Sequence, residues 1–170
     1  MSTHNLERFR TAQNDPHAGF EVALAEIRSG QKQSHWIWYI FPQLAGLGAS
    51  SLSQKYAIDV AEEAAEYLKD PVLSERLLTI TTAVAEHLNS GVPLDTVMGS
   101  RIDATKLMSS LTLFGRVAAA LQKSQPRETY DAIAAAAETV LKAGESEGYQ
   151  RCRFTLEQLG IRGSGFGTRD

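Results

Sequence analysis

Apolar residues recur along most of this chain every three or four positions, the spacing of one helix face, and no pair of alternating segments reads as partnered strands. Leu6 and Phe9 lie in a short polar–apolar segment that predicts a first helix. Asp15-Pro16 predicts the start of the next, with Asp as cap and Pro in the first turn. Phe20, Leu24 and Ile27 then form its apolar face, and Gly30 stops it. Local propensity would make 36–41 a strand, because Trp, Ile, Tyr and Phe all favour sheets. A strand needs a partner and none is evident. With Ser34 able to cap and Pro42 able to terminate, the segment is expected to form a short buried helix.

Residues 44–53 are Gly- and Ser-rich and expected to be loop. Val60, Ala64, Tyr67 and Leu68 share one helix face. Asp70-Pro71 repeats the cap-then-proline start, followed by the stripe Leu73, Leu77, Ile80, Val84 and Leu88. Asn89 to Pro93 reads as loop. Ala104, Leu107, Leu111, Phe114, Ala118 and Leu121 make the clearest stripe, over 101–122. An Ala-rich helix is expected after Pro126, ending near Gly144, and a last one over 147–159. The pattern predicts an all-α, multihelical single domain over 1–160 with a buried central helix, and a flexible Gly-rich tail over 161–170.

Composition narrows the class. Hydrophobic residues make up 43% and charged residues 22%, enough apolar material for a core. The net charge of −3, from 17 basic and 20 acidic residues, and the lack of any Lys/Arg run argue against a nucleic-acid partner. The acidic side chains of 59–75 read as a solvated face. The longest wholly apolar run, 36–41, is six residues, against about 20 for a membrane span. MSTHNLERFR lacks the apolar core of a secretion signal, and the lone Cys152 fits a reducing, cytoplasmic setting. Cys152 stands between Arg151 and Arg153 with no histidine nearby in sequence and reads as an ordinary thiol.

Candidate chemistry gathers at two places. GLG at 46–48 lacks the Lys-Ser/Thr of a phosphate loop and reads as a turn. The four histidines (4, 17, 35, 87) form no short-spaced pair, so no metal site is expected, and no cofactor is implied. In SRID, 100–103, Ser100 and Asp103 have the spacing of a capping box. Asp103, Lys106 and Ser110 also line one side of the same helix, with Ser109 adjacent, and a helix N-terminus with Lys one turn in suits an anion. Lys32, His35 and Gln43 flank the aromatic block, whose Trp36 and Trp38 could wall a pocket with a polar rim. Aromatics with an open edge can stack on a flat ligand.

The blocks SHWIWYIFPQLAGLGASSLSQKYAI, AEEAAEYLKDPVLSERL and DATKLMSSLTLF together resemble a bacterial family known only as a domain of unknown function. The resemblance spans roughly 5–121 and implies an all-α fold with a buried central helix, but no activity. Some members carry the label "calpastatin"; that inhibitor is a disordered chain, which this composition is not. The Ala-rich 130–144 segment looks like a local elaboration on the family pattern. A more distant resemblance is to the NADAR (NAD and ADP-ribose related) superfamily, through His35, the aromatic block and Gln43; Ser34 stands where that motif has Glu.

Three readings follow. The first is a binding site for a small anionic or nucleotide-like ligand, formed where Lys32, Trp36, Trp38 and Gln43 meet Lys106, Ser109 and Ser110. The second is an enzyme, an NAD/ADP-ribose-type hydrolase, at the same place with His35 or Asp103 as general acid/base. The third is a protein–protein interaction module using an exposed face of 130–144.

Overall fold

The computed structural model describes residues 4–161, and among these there are ten helices, no strand and one domain. They are α1 (Glu7–Gln13), α2 (Phe20–Arg28), α3 (Ile37–Ile40), α4 (Ser51–Lys55), α5 (Ala61–Lys69), α6 (Pro71–Asn89), α7 (Leu94–Met98), α8 (Arg101–Ser124), α9 (Glu128–Ser146) and α10 (Arg153–Ile161). The expected tail lies outside the described residues, apart from the backbone of Ile161.

α8 is the axis. It packs against α3, α5, α7, α9 and α10, and α6 closes the bundle against α2, α5 and α9. All six residues of its predicted stripe are buried. Burial goes further than one stripe, because every residue from Leu107 to Phe114 is enclosed. Two of the buried hydroxyls among them bond within the helix: Thr112 Oγ1 donates to the Met108 carbonyl at 2.7 Å and Ser109 Oγ to the Thr105 carbonyl at 3.3 Å.

The aromatic block forms a single buried turn, α3, with Trp36 and Phe41 at its ends wholly enclosed. At α6 the local chemistry works as expected: Asp70 Oδ1 accepts the N–H groups of Val72 and Leu73, both at 3.0 Å, with Pro71 in the first turn.

Three expectations need correction. Asp15-Pro16 does not start α2: Asp15 Oδ1 accepts from the N–H groups of His17 and Ala18, so its bonds are spent on a turn and the helix begins at Phe20. The 44–53 loop contains the start of α4, capped by the Ser50 side chain, which accepts the Ser53 N–H at 3.1 Å. The chain from Ser90 to Pro93 is loop, as expected, and α7, too short to show periodicity, follows it. The apolar face of α9 is not exposed: Tyr130, Ile133, Ala137, Val140 and Leu141 are buried against α6 and α8.

Candidate functional site

The site is assembled from the 29–36 connection, the 43–56 segment and the first half of α8. A residue in the last turn of α2 organises the first of these. Glu26 Oε1 accepts from the N–H groups of Gln33 at 2.8 Å and Ser34 at 2.9 Å, and from the Trp36 indole N–H at 2.9 Å; its Oε2 accepts the Ser34 hydroxyl. Burial alone would raise this carboxyl, but the bonds from the Ser34 hydroxyl, the two backbone N–H groups and the indole outweigh it and hold the pKa down at about 2. Nothing in the sequence pattern singles out Glu26, because its partners lie seven to ten positions away, across a loop.

Lys32 leaves this loop toward α8. Its N–H donates to the Val97 carbonyl in α7 at 2.8 Å, and its buried Nζ meets Asp103 Oδ2 at 2.7 Å and the Ser34 carbonyl. The same ammonium lies 4.8 Å from the centre of the Trp36 ring. Gly99 makes room for this crossing: its φ is +82°, and a Cβ there would stand 2.7 Å from the Lys32 carbonyl oxygen. The two predicted polar groups therefore do converge, with Lys32 and Asp103 in direct contact. What they form is a neutralised staple tying the loop to the start of α8. Ser100 caps that start by accepting the Asp103 N–H at 3.1 Å, while the Asp103 carboxylate turns to Lys32.

Beside the staple an open trough runs between 43–56 and α8. Its outer part has a volume of about 460 Å³ and is lined by Gln43, Ser50, Ser53, Thr105, Lys106 and Ser109, with Leu47 and the 68%-exposed Ile102 as apolar rim. An inner part of about 120 Å³ lies between Trp38, Tyr56 and the 44–48 backbone. Gln43, Leu47, Gly48 and Ser53 line both, so the two are one continuous feature. Lys106 Nζ sits 5.3 Å from the centre of the Trp38 ring, and among the described residues no ion pair engages it. It is the one charged side chain among the described residues that line the trough.

The inner wall depends on α10. Gly46 has a φ of +105°, and a Cβ there would meet the Phe154 ring at 2.9 Å. The GLG turn is therefore a packing device that seats α10 behind the trough.

The sequence-predicted residues divide as follows. Trp38, Gln43, Lys106 and Ser109 line the trough. Lys32, Trp36 and Asp103 stand beside it in the staple. Ser110 is fully enclosed, its hydroxyl has no partner among the described residues, and it does not line the trough. His35 is exposed and outside the lining. Sequence reasoning missed Ser50, Ser53, Thr105 and Tyr56, whose place depends on how α4 faces α8.

Elsewhere, among the described residues, no helix is long and apolar enough to cross a membrane. Cys152 is free and half-buried; its Sγ accepts the Thr155 hydroxyl at 3.2 Å, and the Arg151 guanidinium is spent on Glu138 and Glu145.

In overall structure the chain is similar to the conserved hypothetical protein Rv1873 from Mycobacterium tuberculosis, whose crystal structure is at 1.38 Å. The match covers 89% of this chain and 94% of that one, at 31% identity and a TM-score of 0.68. No curated protein matches the chain. The family model described as "Protein of unknown function (DUF1810)" matches residues 3–139, which takes in the first part of the Ala-rich segment that looked like an elaboration. The chain belongs to that family of unknown function.

Proposed function

We propose that the trough between 43–56 and α8 binds a small anionic or nucleotide-like molecule. The observation that carries this reading is Lys106: a cation without an ion-pair partner among the described residues, resting on an aromatic face at the mouth of a cavity of about 460 Å³. That volume falls in the range of small-molecule sites, roughly 300–1,000 Å³. An unpaired ammonium in such a place gains a charge-assisted bond when an anion arrives. Trp38 supplies the flat wall and Gln43 and Ser109 supply polar contacts.

Binding is favoured over hydrolysis at this site. Asp103 is committed to Lys32, and His35 is outside the lining, so neither stands ready to move a proton for a molecule in the trough. The interaction reading loses its surface, since the apolar face of α9 is in the core.

The test is a thermal-shift and tryptophan-fluorescence screen of nucleotides, NAD, ADP-ribose and phosphorylated sugars against wild type and Lys106→Ala. Trp36 and Trp38 are the only tryptophans. A compound that raises the melting temperature and changes the emission of wild type, and loses both effects in Lys106→Ala, is the expected result. A compound that stabilises both proteins equally places binding elsewhere and ends the reading.

A further inference from the structure

We infer that the occupant of the trough is a phosphorylated monosaccharide, an inference that rests on the reading of the trough as an anion site. The hydroxyl protons of the lining already point into the protein. Ser53 Oγ donates to the Ser50 carbonyl at 2.9 Å, and Thr105 Oγ1 donates to the Arg101 carbonyl at 3.0 Å. Ser109 Oγ donates to the Thr105 carbonyl at 3.3 Å, and Ser50 Oγ donates to Ser53 Oγ at 3.0 Å. Each hydroxyl has one proton and two lone pairs. With the protons spent on the protein, these oxygens offer the trough acceptors. A molecule that satisfies them must bring several donors of its own. A sugar ring carries them all round its edge, whereas a polyphosphate is almost wholly acceptor.

Charge points the same way. Among the described residues Lys106 is the single charged group lining the trough, and the nearby Lys32, its side chain 5% exposed, is already neutralised by Asp103. One cation answers one phosphoryl group; a di- or triphosphate would bring further negative charge with no counter-charge. Size agrees. The inner part of about 120 Å³ and the continuous outer part of about 460 Å³ together leave room for a sugar ring and a phosphoryl group. The C–H face of a sugar ring packs against the negative face of an indole such as Trp38.

The experiment measures dissociation constants for glucose 6-phosphate, ribose 5-phosphate, glucose, inorganic phosphate, AMP and ADP, on wild type, Lys106→Ala and Thr105→Val. Thr105 is exposed, so valine there keeps shape and removes the acceptor. Unliganded melting curves establish that each variant folds. The expected result is that at least one sugar phosphate binds tenfold or more tighter than inorganic phosphate. Lys106→Ala should weaken it by about 10-fold or more, as for loss of a charge-assisted bond. Thr105→Val should weaken the sugar phosphate and leave inorganic phosphate unchanged. If ADP or AMP binds tenfold tighter than either sugar phosphate, and still needs Lys106, the sugar inference is overturned and the anion site stands. If no probe binds, or Lys106→Ala binds as wild type does, the anion site falls and the inference with it.

Discussion

Replacing Glu26 by Gln tests the idea that one carboxylate organises the whole approach to the trough. In wild type its two oxygens accept four hydrogen bonds, from Gln33, Ser34 twice and Trp36. Gln keeps the shape but offers one acceptor oxygen and a donating amide in place of the other, so the four bonds cannot all persist and the charge-assisted component is lost. The magnitude can be read from the carboxyl's fall from 4.5 to about 2. At about 1.4 kcal/mol per tenfold this is roughly 3 kcal/mol, and solvent screening of a partly exposed group lowers it to about 2 kcal/mol. The sign follows from linkage. The folded carboxyl has the lower pKa, so its contribution is complete above the unfolded value near 4.5 and is lost as pH falls toward 2. The assay is urea unfolding of wild type and Glu26→Gln at pH 7 and pH 3. Wild type should be more stable by about 2 kcal/mol at pH 7, and by less than half of that at pH 3. A gap under about 0.5 kcal/mol at pH 7, the size of an ordinary surface substitution, would refute the role. So would a gap of the same size at both pH values.

Three further outcomes are expected. Asp103→Asn should cost about 2–4 kcal/mol in urea unfolding, because it leaves the buried Lys32 ammonium without its counter-charge, and Lys32→Met in the same background should recover part of that loss. Gly46→Ala should cost about 1–3 kcal/mol through its positive φ and its contact with Phe154, and Phe154→Ala should relieve only the contact part; additive losses in the double variant would show the two do not touch. Acrylamide should quench Trp38 far more than Trp36: Trp36→Phe should leave a readily quenched protein and Trp38→Phe a protected one, and equal quenching of the two would contradict the burial difference.

Family membership carries no activity with it, and the resemblance to Rv1873 is to another protein described only as hypothetical. The trough carries the proposed function: an ammonium that meets no carboxylate among the described residues, a flat aromatic wall, and hydroxyls whose protons already face the protein. These features stand on three separate stretches of chain, which is why the staple behind them matters. Lys32, Asp103 and Glu26 hold the 29–36 connection against α8 and so place Trp38 opposite Lys106.

The sequence by itself determined the longer helices and their inward faces. A stripe such as Leu73, Leu77, Ile80, Val84 and Leu88 needs only 3.6-residue periodicity to be read, and all five are buried. The same holds for Asp70-Pro71, whose cap is complete within four residues. Asp15-Pro16 shows the limit of such local signals, since the same dipeptide closes a turn when the next residues bond back to Asp15. Parts of the candidate site were legible too, because Trp38, Gln43, Lys106 and Ser109 belong to the two most distinctive blocks. Only the tertiary structure decided their roles. Whether a lysine is neutralised or open depends on which carboxylate another helix brings to it, so Lys32 and Lys106, alike in sequence, ended on opposite sides of that division. Glu26 and the place of Ser50, Ser53 and Thr105 in the trough were invisible for the same reason: a hydrogen bond across a loop, or the facing of α4 toward α8, leaves no period in the chain that makes it.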